Sequence, residues 1–492
     1  MYIKNIIIII FIYIFKFFTC SIYIQIETLQ EKNYANNYNT NNNNHINIIK
    51  KNYFNELYTI LDIGSPLQKI FLFIRTTNQD YNIISNKAYM ESNNKNNKYN
   101  LIEFYKEFKL YNEKESKTYF NEGCKEVLGL SDDFETICDS NDIFIFNQIQ
   151  NNETKKIQLN NFSFKLIKET DSNIPGMIGL GLFDKSRNEA HNFLKVLKNY
   201  NLIDNYYYYF DFDNVNSKNG KLIIGALPHE INPNKFSDNN LLFINVDIDS
   251  FELKKWRILF DEIKINNEMI LLNKKAEFDF NMNFIIGTND LEKFFNEKIF
   301  NNYINSKMCF NDTFNYSLYS GYKFYYCKSE LKKTLYDLLP NIDFFSKQLN
   351  YTFNLNKEDL FIIENDYLYL RIIFNKQKTD DKLLLGKCFT LKYQFVFNPD
   401  LQKIGFYKKN NKIKINKKDI FDYNTIIKIF VIIFLIIVFV FVLKFTKFFS
   451  TKRKRRNNKL IEKYDYDYDN ENKDINKKCN QKNEFVEMNI NL

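Results

Sequence analysis

The chain has few of the residues that do chemistry through imidazole nitrogen, and few of those that interrupt regular structure. Three histidines in 492 residues argue against a His-based metal centre and against a His-activated nucleophile. None of the seven cysteines stands in a C-x-x-C spacing, so no thiolate metal site is encoded either. Glycine and proline number only 12 and 6, while Asn, Lys, Ile, Tyr and Phe dominate. We read that bias as AT-rich coding rather than chemistry, and runs such as Asn41 to Asn44 as solvated loops. The net charge of +9 makes no case for nucleic acid, because much of the excess sits in Lys452, Arg453, Lys454, Arg455 and Arg456.

Two apolar runs are present. Ile6 to Phe15 lies behind Lys4 and ahead of the small residues Thr19, Cys20 and Ser21, the layout of a secretory signal peptide over 1-20, with the mature chain starting near Ser21. This run is shorter than the ~20 residues a spanning helix needs. Ile426 to Leu443 is apolar except for Lys428 and precedes the basic cluster, which predicts a transmembrane helix over 426-446. Positive residues stay cytosolic, so the expected topology is type I, with the body luminal or extracellular and a cytosolic tail over 447-492. The tail's alternation of Tyr and Asp at Tyr464 to Asp469 reads as a solvated disordered tail, with a sorting signal as the alternative. The expected location is a membrane of the secretory pathway or the cell surface. An oxidising compartment makes disulfides the default for Cys124, Cys138, Cys309, Cys327 and Cys388. We pair Cys124 with Cys138 and Cys309 with Cys327, leaving Cys388 buried and free, although sequence alone does not fix connectivity. Asn161, Asn311, Asn315 and Asn350 stand in sequons that permit glycosylation.

Residues 21-52 are polar and Asn-rich and read as a leader, either a pro-segment or disordered. From Tyr53 onward, short apolar runs alternate with Asn, Asp, Lys and Gly, as in IFLFI, DIFIFNQI, FSFKLI, YYYYFDFD and YQFVFN. That is an all-β pattern. One helix is expected over Glu189 to Asn199, where Ala190, Phe193, Leu194, Val196 and Leu197 share a face.

Several motifs recur in order along this body. Ile63, Gly64, Ser65, Pro66 and Gln68 lead into the apolar strand Ile70 to Ile74, which ends in Arg75, Thr76, Thr77 and Asn78. Lys117 to Cys138 follows, then IPGMIGLGL at Ile174 to Leu182, then GKLIIGAL at Gly220 to Leu227 and Trp256. AEFDFNMNFIIG spans Ala276 to Gly287, Leu339 and Pro340 come after Cys327, and LGKCFTLKYQFVFNPDLQKIGF spans Leu385 to Phe406. Together these resemble the pepsin-like aspartic proteases (peptidase A1), including the plasmepsin-like members. The resemblance implies an all-β, bilobal pepsin-like fold, with a first lobe over 53-205, a second over 206-410 and a stalk over 411-425. It also implies roles. Arg75 occupies the place of the first catalytic Asp, Asp279 retains the second, and Tyr119 holds the flap Tyr position in a hairpin where Phe120, Asn121 and Glu122 replace the Gly-rich tip. Lys387 stands where an Asp is usual, and Phe280, Asn281, Met282 and Asn283 replace the Thr, Gly, Thr and Ser that follow the second Asp.

The family mechanism needs two carboxylates sharing a proton, one activating water and the other donating to the carbonyl oxygen. A permanent cation at Arg75 cannot take part. Asp62 in LDIGS and Asp80 are the two alternative registers for a carboxylate; the first strands the Gly64, Pro66 and Gln68 match, and the second puts the residue beyond the strand end. The expectation is therefore a membrane-anchored, catalytically inactive homologue that binds a peptide or protein partner in the interlobe cleft, with no cofactor and no metal. The alternatives are an active aspartic endopeptidase of the secretory pathway, and a surface scaffold whose cleft does nothing.

Overall fold

The computed structural model describes residues 21–30, 55–88, 110–128, 134–150, 153–169, 176–183, 192–213, 219–247, 255–313, 321–339, 341–375 and 382–408. The signal segment, the apolar run from Ile426 and the tail lie outside these residues. Among the described residues, no helix is long and apolar enough to cross a membrane.

The described body is built on strands, in keeping with its period-2 patterning. The amino-terminal part supplies β1 (Ser21–Gln30), β2 (Asn55–Ile63), β3 (Gln68–Arg75), β4 (Tyr81–Ile84), β5 (Phe120–Leu128), β6 (Phe134–Gln150), β7 (Glu153–Glu169) and β8 (Met177–Gly179). Next come β9 (Tyr208–Phe212), β10 (Asn219–Ile224), β11 (Leu241–Asn245), β12 (Arg257–Ile265), β13 (Glu268–Phe278) and β14 (Ile285–Gly287). The remainder are β15 (Cys309–Thr313), β16 (Tyr322–Lys328), β17 (Asn341–Ser346), β18 (Tyr351–Asn356), β19 (Phe361–Glu364), β20 (Tyr367–Leu370), β21 (Ile372–Asn375), β22 (Leu383–Leu385), β23 (Phe395–Asn398) and β24 (Lys403–Tyr407).

They form two sheets. One runs β11-β24-β23-β9-β10-β1-β2-β3-β8-β4-β7-β6-β5, and the other contains β12 to β22. The strands just past residue 205 thus extend the first sheet rather than opening the second. The helix Phe193–Asn199 lies within the expected stretch, capped by the Asn192 side chain, and buries Phe193, Leu194, Val196 and Leu197. One apolar core cluster joins residues of both halves, including Leu72, Phe144, Trp256 and Phe397.

Two expectations are corrected. Ser21–Gln30, assigned to a leader, is strand β1 within the body, pairing with β10 on one side and with β2 on the other. Its Ile22, Ile24 and Ile26 alternate with polar residues and are buried, which is why a polar segment joins a sheet. Phe120, Asn121 and Glu122, expected at a hairpin tip, lie in β5, where Phe120 and Asn121 pair with β6 and Glu122 falls at a bulge. The hairpin itself is present over the predicted stretch.

Candidate functional site

The two loops that follow β3 and β13 occupy equivalent places. β3 runs parallel to β8, β8 antiparallel to β4, and β4 parallel to β7. In the second sheet β13 runs parallel to β22, β22 antiparallel to β14, and β14 parallel to β21. Register makes the match residue by residue. Arg75 faces Gly179. The pairing of Phe278 with Leu385, extended by one residue, sets Asp279 against Gly386. Both glycines are dictated by close backbone approach. A Cβ on Gly179 would sit 2.5 Å from the Asp80 carbonyl oxygen, and one on Gly386 would sit 2.2 Å from that of Phe284. Asp80 is five residues past Arg75, and Phe284 is five past Asp279. Arg75 and Asp279 are therefore pseudo-symmetric mates.

Alternation fixes what surrounds them. On β3, Leu72 and Ile74 enter the main core, while Phe71 and Phe73 turn to the opposite face and cluster with Tyr58, flanked by the partly buried Met177. The half-buried Arg75 shares that face, its guanidinium 5.1 Å from the Phe73 ring centroid, a cation–π stack. On β13, Ala276 and Phe278 enter the core and Glu277 takes the face of Asp279. Arg257, directly across the ladder, donates from Nε at 2.9 Å and from a terminal nitrogen at 2.8 Å to Glu277 Oε1. Lys255 Nζ is 3.1 Å from Oε2. The two faces are thus chemically unlike, aromatic on β3 and ionic on β13.

The loop after β13 keeps one feature that suits a fixed carboxylate. The backbone N–H of Asn281 donates to Asp279 Oδ1 at 2.9 Å. The Asn281 side chain then crosses to the first lobe, its Oδ1 accepting from the Leu57 N–H at 3.0 Å. The hydroxyl side of the arrangement is gone. Thr76 is buried and its Oγ1 has no hydrogen-bond partner. Its mate Phe280 instead packs 4.4 Å from the Phe210 ring and 5.4 Å from that of Phe397. Phe210 and Phe212 form an aromatic row on β9, and Lys387 Nζ lies 4.5 Å from the Phe212 ring centroid. Lys387 is fully buried, its Nζ has no hydrogen-bond partner, and burial alone lowers its pKa to about 7.

Four other carboxylates stand on neighbouring strands and loops. Asp62 pairs across from Lys69, six residues before Arg75 and so about 20 Å away along the strand. Asp80 presses its backbone on Gly179. Asp142, buried in β6, accepts from the Tyr111 hydroxyl at 2.5 Å, from Thr118 and from the Ile143 N–H. Burial and Asp142 together push the Tyr111 phenol far above its ordinary pKa. Glu277 is engaged by two cations and stands two residues from Asp279 on the same strand, about 7 Å along it. Tyr119 is half-buried, its hydroxyl 3.2 Å from Ser140 Oγ and its ring 5.6 Å from Lys168 Nζ. Those contacts pack it against β6 and β7. Sequence reasoning missed the Lys255–Glu277–Arg257 group and the Asn281 bridge. The first was hidden in cross-strand register, although Glu277 is a charge in an otherwise apolar run. Among the described residues no cluster of His, Cys, Asp and Glu could hold a metal.

Two strand-end loops with the same local topology, one after β3 and one after β13, are the arrangement of the aspartic-protease class of architecture. The sequence model of the eukaryotic aspartyl protease family matches residues 56–409, and the chain belongs to that family. Among solved structures it resembles conglutin gamma, a basic 7S globulin from lupine seeds, at 10% identity and a TM-score of 0.53, over 80% of this chain and 95% of that one. It also resembles the basic 7S globulin from soybean, at 11% identity and a TM-score of 0.52, over 79% and 95%. These likenesses are of fold. No curated protein matches the chain.

Proposed function

We propose that the chain is a catalytically inactive aspartic protease homologue that holds an extended peptide or protein segment at the former dyad. The observation that carries this reading is the register equivalence of Arg75 and Asp279. It puts a cation where the shared-proton mechanism needs a carboxylate, and removing one member of a catalytic unit commonly costs as much as removing all of it. The unpartnered Thr76 hydroxyl and the aromatic Phe280 support the reading, because neither position supplies a hydroxyl hydrogen bond that would orient such a pair. The half-buried Met177, packed on the buried Tyr58, Phe71 and Phe73 cluster, and the half-buried Arg75 offer contact to an extended ligand. Membrane attachment through 426-446, with the body in the secretory pathway or at the surface, is part of the proposal and rests on the apolar run and its basic flank.

Selection of a displayed random-peptide library on the purified chain tests binding. Enrichment that is lost in Met177→Trp or Arg75→Glu supports the proposal, and no enrichment overturns it. The alternative, an active endopeptidase, draws on one observation, the retained N–H donor on Asp279.

A further inference from the structure

The two disulfides have unlike surroundings. Cys309–Cys327 joins facing positions of β15 and β16, and both residues are 1% exposed. Cys124–Cys138 joins facing positions of β5 and β6, the hairpin that carries Tyr119 at its base. Here one end is in the core and the other is in solvent. Cys138 is fully buried with Tyr111, Phe144 and Phe164, whereas every residue from Phe120 to Glu126 is exposed and Phe120 reaches 60%. From Phe120 to Val127, β5 therefore has no buried side chain to hold it. Among the described residues its attachment includes the ladder to β6, a contact from Asn141 Nδ2 to Glu122 and the disulfide. The ladder is itself broken by a register shift between Asn121 and Gly123, where Gly123 has φ +152° with nothing within 4 Å of a would-be Cβ. Asn121 bridges the bulge, accepting from the Gly123 N–H at 2.9 Å and placing its amide 3.3 Å from Cys124 Sγ. A strand with exposed hydrogen bonds and no core contribution belongs to the least stable part of a structure.

We infer that Cys124–Cys138 is a reducible latch that holds the flap strand β5 to the body, and that a dithiol reductant releases it. The thiolate of the dithiol attacks the exposed Cys124 sulfur, and the S–S bond breaks with Cys138 leaving as thiolate and taking up a proton. The reductant's second thiol then displaces Cys124, which also ends as a thiol. The reductant departs as a disulfide, two electrons having passed to the protein. Cys388 does not compete, since burial pushes its thiol up to about 12 and keeps it protonated. Release of β5 opens the hairpin over any bound segment. That consequence rests on the peptide-binding reading, whereas the latch does not.

The test uses the full chain under native conditions with dithiothreitol. Differential alkylation followed by mass spectrometry ranks the cysteines, and hydrogen exchange reports on 120–128. The expected result is labelling of Cys124 and Cys138 well before Cys309 and Cys327, with exchange across 120–128 at least about tenfold faster and 309–327 unchanged. Cys124→Ser, a change at an exposed position, should show the faster exchange without reductant. Reduction of both disulfides at one rate, or identical exchange of 120–128 in the oxidised, reduced and Cys124→Ser chains, would overturn the latch. Peptide release on reduction supports the opening, and unchanged retention overturns it. Failure of either form to bind any peptide overturns the binding reading and leaves the exchange result to decide the latch.

Discussion

Replacing Lys387 by Met should make the protein more stable, which is an unusual outcome for a change at a fully buried position. By the pseudo-symmetry that aligns Gly386 with Gly179, the mate of Lys387 is Leu180, a buried core residue. Among the described residues an amine there has no hydrogen-bond partner, and the Phe212 ring lies beside it. Burial takes its pKa from 10.5 to about 7. The folded value is below the unfolded one, so below about pH 7 both states carry the proton and the folded state bears the whole cost of burying the charge. Between about 7 and 10.5 only the unfolded state is charged, and the cost shrinks as pH rises. At roughly 1.4 kcal/mol per pH unit, the full cost is on the order of 5 kcal/mol. Lys387→Met should remove it. Denaturant unfolding followed by the fluorescence of Trp256, the only tryptophan and a buried one, should show the variant ahead by several kcal/mol at pH 6. The difference should narrow steadily above pH 7. A destabilised variant, or a difference that does not change with pH, would refute the reasoning.

Three other substitutions probe the same region. Thr76→Val removes a buried hydroxyl that has no partner and should leave stability unchanged or raise it by about 1 kcal/mol, measured by thermal unfolding. Asn281→Ala strips the acceptor from the Leu57 N–H and should cost about 1–3 kcal/mol in the same assay. Glu277→Gln leaves Arg257, 5% exposed, facing a neutral partner and should destabilise by about 3–5 kcal/mol, seen as a lower denaturant midpoint.

How much of this was legible in the sequence depended on whether a feature is local. The glycines of IPGMIGLGL announced a tight backbone approach, and Gly179 and Gly181 both press on the backbone of residues 78–80. The short alternating runs announced strands, and the two cysteine pairs fell on facing positions of two hairpins. Strand β1 carried the same alternation at Ile22, Ile24 and Ile26, but it was overshadowed by the signal run before it and the Asn-rich stretch after it. The hairpin was legible, but Phe120 to Glu122 were read as its tip, whereas they lie within strand β5. Nothing local shows that Lys387 is buried or that Arg257 meets Glu277. The first depends on which helical turn packs on β9, and the second on a register that only the folded sheet sets.

The central claim is that a cation has replaced half of a catalytic pair and ended peptide hydrolysis. The most direct measurement is hydrolysis of a broad peptide library from acid to neutral pH by the purified chain, beside Arg75→Asp and Asp279→Ala. The account predicts no cleavage by the natural sequence at any pH, and none that distinguishes it from Asp279→Ala. Cleavage by the natural sequence that disappears in Asp279→Ala would contradict it, and would mean that a second carboxylate reaches Asp279.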